Sequence, residues 1–181
     1  ANLTLKGGEF PNGFTVHNTT SNSLLAEGYA FYNKDGNKIT VADDAQKIDG
    51  YIQVKDHYVV KVTDKDGNEI EGSPYKTFAE AVTAASASEG STLTLLDDIT
   101  VTTFQIINSG NFTIDLNGKT LLSESSFALR IQSGAHVTIK DSGEGGTVES
   151  KADGAKAVIN YGGLTVESGT MKGDGGIDNR G

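Results

Sequence analysis

Phe112-Thr113-Ile114-Asp115-Leu116-Asn117-Gly118, followed by Val137-Thr138-Ile139-Lys140 and Leu164-Thr165-Val166-Glu167, is the stretch that decides the fold. Each four-residue phrase reads apolar, Thr, apolar, charged. The copies begin at 112, 137 and 164, so they are 25 and then 27 residues apart. Leu3-Thr4-Leu5-Lys6 repeats the phrase near the start of the chain, and Leu93-Thr94-Leu95-Leu96-Asp97 is a looser fifth copy. A second phrase runs beside the first: Ala128-Leu129-Arg130-Ile131-Gln132-Ser133-Gly134, then Ala157-Val158-Ile159-Asn160-Tyr161-Gly162, then Gly176-Ile177-Asp178-Asn179-Arg180-Gly181, the last two copies 19 residues apart.

Strict alternation sends successive side chains to opposite faces of a strand, so each copy is a short strand with one apolar side. A single unit cannot bury that side alone; stacked units can. Variable periods of about 19 to 28 residues, with glycine at the corners and no helix inside the repeat, predict an all-β chain built as a right-handed parallel β-helix. A leucine-rich repeat would show a Leu-x-x-Leu-x-Leu frame, and a propeller blade would run to about 40 residues. A β-sandwich of similar strands leaves the recurrence in register unexplained.

Before the array, Phe78, Ala81, Val82 and Ala85 recur at helical spacing, with Pro74 ahead and Gly90 behind. This predicts an amphipathic helix over 75–88 that covers the open N-terminal end of the solenoid. Residues 74–181 are thus read as capping helix and parallel β-helix. Residues 1–14, which carry Leu3-Thr4-Leu5-Lys6, are read as the last rung of a preceding β-helix, and residues 15–73 as a hairpin-rich segment that closes it. Within that segment Asn33-Lys34-Asp35-Gly36-Asn37 and Asp64-Lys65-Asp66-Gly67-Asn68 are Asp-Gly hairpin turns. The second resembles the start of a calcium loop, but an EF-hand needs its Gly sixth and a Glu twelfth, whereas here Gly is fourth. The aromatic run Gly28-Tyr29-Ala30-Phe31-Tyr32 reads as a plug for the open end.

Composition narrows the function classes. The chain has 181 residues, 23 glycines, 2 prolines and 36% hydrophobic residues, which suits a lean core and many short strands. A formal charge of −9, with its 15 Lys and Arg scattered, argues against a nucleic-acid surface. With no cysteine, neither a disulfide frame nor a thiolate metal site exists. No apolar run reaches the roughly 20 residues of a membrane span. The chain starts at Ala1 without a leader, so the expectation is a piece of a longer protein.

The outward face supplies the candidate site. Thr113, Thr138 and Thr165 each lie between two inward apolar residues, which predicts a flat outer column of threonine beside alternating charges. Tyr161 and Phe127 are the aromatics expected flat and exposed on that outer surface if it binds glycan. Asn108, Asn160 and Asn179 each stand at a strand-to-turn corner, where they hold turn geometry or stack as a ladder. His17, His57 and His136 are far apart, and none has a Ser or Cys partner at recognisable spacing, so they read as surface histidines. No catalytic residue, metal or cofactor is expected.

The run Tyr75-Lys76-Thr77-Phe78-Ala79-Glu80-Ala81-Val82, with Thr94-Leu95-Leu96-Asp97-Asp98-Ile99 and Thr113-Ile114-Asp115-Leu116-Asn117-Gly118-Lys119-Thr120-Leu121, resembles the opening of adhesin-like right-handed parallel β-helix modules of Gram-positive bacterial surface proteins, in the wider pectate-lyase-like superfamily. Leu24-Leu25-Ala26-Glu27-Gly28-Tyr29-Ala30-Phe31-Tyr32 resembles the segment that ends such modules. The resemblance covers most of the chain and implies extracellular display on a bacterial cell wall, attached through other parts of a parent chain. The Asn-Thr-Asp, His-Gly and Arg-x-Lys motifs of hydrolases with this fold are absent. The function expected is a non-catalytic adhesion or stalk module. Its partner would be a host glycan or protein such as a mucin, matrix protein or immunoglobulin, and open solenoid ends would add end-to-end self-association. The alternatives are a specific binder of one such host protein, a carbohydrate-binding module and, last, a polysaccharide lyase or hydrolase.

Overall fold

Alternating apolar residues make strands here, but the strands pair in two different ways. The computed structural model describes residues 3–15, 24–41 and 47–181, and divides the chain into two compact units, Ala1–Tyr58 and Val59–Gly181. The boundary falls ahead of the one expected at 73 and 74, so the Asp64–Asn68 turn belongs with the solenoid rather than with the closing segment.

The first unit is antiparallel. Its strands are β1 (Gly8–Phe10), β2 (Phe14–Thr15), β3 (Tyr29–Tyr32), β4 (Lys38–Ile39), β5 (Lys47–Ile48) and β6 (Ile52–Asp56). They form a sheet in the order β1-β6-β3-β4 and a separate β2-β5 pair. Phe31, Ile48, Ile52 and Val54 make its buried core, with Phe10 and Phe14 packed against them. Phe31 of the aromatic run is therefore a core residue of this unit. Leu5 makes a single parallel bridge to Leu25, while β1 pairs antiparallel with β6, so the repeated phrase at Leu3-Thr4-Leu5-Lys6 does not build a parallel ladder.

The second unit holds β7 (Val60–Thr63), α1 (Phe78–Ser86), β8 (Thr92–Leu95), β9 (Ile99–Val101), β10 (Gln105–Asp115), β11 (Thr120–Ser123), β12 (Phe127–Lys140), β13 (Thr147–Ser150), β14 (Lys156–Asn160), β15 (Gly163–Val166), β16 (Thr170–Lys172) and β17 (Ile177–Asn179). Apart from β7, which pairs antiparallel with β8, its strands pair in parallel, in the orders β17-β14-β12-β10-β8 and β16-β13-β11-β9 with β15 also on β12. This is a parallel β-helix of about three turns. Thr113 pairs with Thr138 and Thr138 with Thr165, the register that the repeated phrase predicts. The first coil departs from it. Thr92, not Thr94, stands opposite Thr113, so the copy that begins at Leu93 is displaced by two residues. A slip of two keeps every side chain on its own face, and alternation alone does not detect it.

The long strands β10 and β12 turn a corner within themselves. Ile107 pairs with Ile131 but Ser109 with Gly134, and at the bend Gly110 has φ +97°. A Cβ there would lie 2.7 Å from Ser86 Cα, so only glycine lets the corner pass under the end of α1. The helix begins with a capping box: Thr77 Oγ1 accepts the Glu80 N–H at 3.2 Å, and the Thr77 N–H donates to Glu80 Oε2 at 3.2 Å. Its Phe78, Ala81, Val82 and Ala85 are buried in one cluster with Leu93, Ile107, Phe112, Ile114, Leu129 and Ile139.

Candidate functional site

The corner that follows the Thr-bearing strands is built from carboxylates and backbone amides. Asp115 is 5% exposed, and its Oδ1 accepts the N–H groups of Asn117 at 3.0 Å and of Ser142, one coil on, at 2.9 Å. Asp141 Oδ1 accepts from the Gly118 N–H at 2.7 Å, and its Oδ2 from the Gly146 N–H at 2.7 Å. Asn117 and Gly118 have φ 49° and 73°, which presents these amides in a tight turn. Asp98 Oδ1 accepts from the Thr120 N–H at 2.8 Å, and at the next corner, between β13 and β14, the Gly154 N–H donates to Asp174 Oδ2 at 2.5 Å. Asn117 Nδ2 donates back to Leu95 O at 3.0 Å, and Ser150 Oγ to the Ser125 carbonyl. Most of these bonds join neighbouring coils. The carboxylates supply acceptors to turn amides that the β-ladder leaves unpaired, and their charge makes each of those bonds stronger than a neutral one.

The threonine column lies beside this corner. Thr113 and Thr138 are half-buried and Thr165 is exposed. Their neighbours Phe112, Ile114, Val137 and Ile139 are buried, so the hydroxyls face outward as the alternation predicts. In the adjacent column Asp115 pairs with Lys140, with Nζ 3.6 Å from Oδ2.

Phe127 is not the exposed outer aromatic that glycan binding would require of it. Its ring is 7% exposed and stacks on Phe104 at 4.3 Å, so it lies under the surface with Phe104 partly exposed over it. Phe127 precedes Ala128 and Leu129, all three buried at the entry to β12. Phe127 has the parity of the buried Leu129 and Ile131, so alternation along β12 places it inward with them. Asn108 stands at a corner, within the register shift, and is exposed, whereas Asn160 and Asn179 are register partners. Asn160, 4% exposed, donates from Nδ2 to Asn179 Oδ1 at 2.7 Å and to Gly162 O at 3.1 Å.

Tyr161 is half-buried and has company that the linear sequence hides. The Arg130 guanidinium lies 5.0 Å from its ring centroid, and that of Arg180 5.8 Å. Arg180 Nη1 donates to the Tyr161 hydroxyl at 3.0 Å, and its Nε and Nη2 donate to Asp178 Oδ2 at 2.9 and 2.6 Å. Arg180 in turn holds the Asp178 carboxyl below its usual range, chiefly through this hydrogen bond. Arg130, Ile159 and Asp178 form one outward column. The signal was present in the aligned phrases, where Asn160-Tyr161-Gly162 and Asn179-Arg180-Gly181 occupy matching places, but Arg130 enters only through the register.

The remaining candidates resolve separately. Asp64 Oδ1 accepts from the N–H groups of Asp66 and Asn68, each at 2.9 Å, which closes the hairpin turn. His57 Nδ1 is 2.9 Å from the Tyr32 hydroxyl in the first unit. His136 is exposed opposite Asn111 and Gly163, and His17 lies outside the described residues. Among the described residues no group of three or more His, Asp or Glu side chains is arranged to hold a metal ion, and no helix is long and apolar enough to cross a membrane. Compared with known families, characterised proteins and solved structures, the chain finds no match.

Proposed function

We propose that the chain is a non-catalytic module of a large repetitive protein displayed on a bacterial cell surface, related to the adhesin-like β-helix modules it resembles, and that it serves as stalk and adhesive surface. The observation that carries this reading is the use of acidic side chains at two coil corners. Asp98, Asp115, Asp141 and Asp174 hold backbone amides, most of them across coils. A lyase or hydrolase of this fold would instead turn carboxylates toward a substrate. Committed acceptors tie each coil to the next, as a stalk requires. In the same reading the coil is right-handed, as parallel crossovers favour. The helix α1 is its N-terminal cap, which the burial of Phe78, Ala81, Val82 and Ala85 against first-coil residues supports.

The specific-binder alternative is favoured by one observation, the aromatic ring of Tyr161 flanked by two guanidinium groups on an outward face. The fragment should bind saturably to arrayed host glycans, mucins, matrix proteins or immunoglobulins, and should release no new reducing ends or unsaturated products from a panel of polysaccharides. Product release would overturn the non-catalytic reading; a silent array would leave the stalk alone. Self-association belongs to the same proposal, because Val166 and Ile177 in the final coil are 38% and 37% exposed. Sedimentation at rising concentration should show a growing average mass, and a monomer at every concentration would remove this part.

A further inference from the structure

We propose that Arg130 and Tyr161 form a subsite for an anionic saccharide, held through the oxygens of a sulfate ester or carboxylate on the Arg130 guanidinium. The inference rests on the surface-module reading above and assigns it a ligand class. The chain has only two arginines, 50 positions apart, and the fold brings both against the same tyrosine. They are not equivalent. The fork of Arg180 is filled by Asp178 and the Tyr161 hydroxyl, whereas Arg130 contacts the ring alone and its buried Nε–H has no acceptor.

A guanidinium with no anion opposite it keeps its terminal N–H donors for an oxyanion, while the buried Nε–H reports on the charge that settles there. The carboxylate in its own column, Asp178, is neutralised by Arg180 and does not compete. Charge around this site runs opposite to that of the chain, with Arg130 and Arg180 against Asp178 and Lys156 near enough to act on Asp178, in a protein of net charge −9. Non-specific attraction therefore does not account for anion binding here. The same charge, with only three cations around the site, disfavours a polyphosphate chain. A saccharide fits better. Tyr161, with the outward Ile159 and the exposed Ile106 in the Arg130 column, offers apolar surface for the C–H face of a sugar ring beside the fork.

The test uses the intact chain with three oligosaccharide probes: heparin-derived (sulfated), hyaluronan-derived (carboxylated) and maltose-derived (neutral). With arginine side chains labelled in nitrogen-15, the protein shows two Nε signals. That of Arg130 should move on adding a charged probe, and that of Arg180 should move less. Arg130→Gln should weaken binding about tenfold or more, Arg130→Lys should retain part of it, and Lys34→Gln should leave it unchanged. A response to the sulfated probe alone assigns a sulfate site, to the hyaluronan probe alone a carboxylate site. Equal binding of the neutral probe would remove the anion subsite while leaving glycan binding intact. Failure of both charged probes to move the Arg130 signal would overturn the proposal without touching the stalk reading. The signal is read on the unmodified chain, so the result does not depend on the variants folding.

Discussion

The two units of this chain use the same alternating strands and the same turn, yet they hold together differently. In the antiparallel unit Asn33 Oδ1 accepts from the N–H groups of Asp35 and Asn37 at 3.0 and 2.9 Å. In the solenoid Asp64 Oδ1 accepts from those of Asp66 and Asn68, each at 2.9 Å. The turn is thus a local device, indifferent to its surroundings. Tertiary packing separates the units. Phe31, Ile48, Ile52 and Val54 form a small core in the first, while the solenoid runs continuous columns such as Ile114 on Ile139 and Leu129 on Val158 through successive coils. Parallel stacking also lets one side chain serve the next coil, as Asp115 does for Ser142.

The largest effects should come from the cores. Ile114→Ala removes most of a fully buried side chain and should cost the solenoid about 2–5 kcal/mol. Amide exchange should quicken along β10 and β12 while β3 and β6 keep their protection. Phe31→Ala should do the reverse, at about 3–5 kcal/mol. If either substitution loosened both units equally, the division into separately stabilised units would be wrong. Next comes Asp115→Ala, which strips two turn amides of their acceptor in a nearly dry site and should cost about 1–3 kcal/mol. Exchange should accelerate at Asn117 and Ser142 in particular, and an effect spread evenly over the coil would count against the staple.

The smallest effect distinguishes the two turns. Hydrogen bonds from Asn68 hold the Asp64 carboxyl below its ordinary range. The folded-state pKa then lies below the unfolded value of about 3.9, so the stabilisation is complete above that pH and is lost as pH falls through the folded value. Acid should therefore loosen the Asn68 amide before the Asn37 amide, whose acceptor is an uncharged Asn33. Asp64→Asn should abolish the difference, and identical titration of both amides in the unaltered chain would refute it.

Much of the fold was legible in one dimension. The helix came from the spacing of Phe78, Ala81, Val82 and Ala85. The coil register of Thr113, Thr138 and Thr165 came from the repeated phrase, and the hairpin turns from Asp-Gly. Each depends on interactions among near neighbours or on a period written into the chain. Alternation records which face a side chain takes, but not whether its partner strand runs parallel or antiparallel. Nor does it record how far a pairing extends: Leu3-Thr4-Leu5-Lys6 makes one parallel bridge, while the like phrase Leu164-Thr165-Val166-Glu167 joins a parallel ladder.

The candidate site was less legible. The outward threonines followed from alternation. Phe127 shares the inward parity of Leu129 and Ile131, which a choice made on its aromatic character alone leaves out, and the first coil slipped by two because such a slip costs no change of face. The sequence by itself determined the strands, the turns, the helix and the repeat, all of which are properties of local periodicity. Only the tertiary structure decided which side chains meet where the phrases do not align them, and so brought Arg130 to Tyr161 and gave Asp115 the Ser142 amide. Those meetings depend on the lengths of the intervening corners, and packing of the whole core sets that quantity.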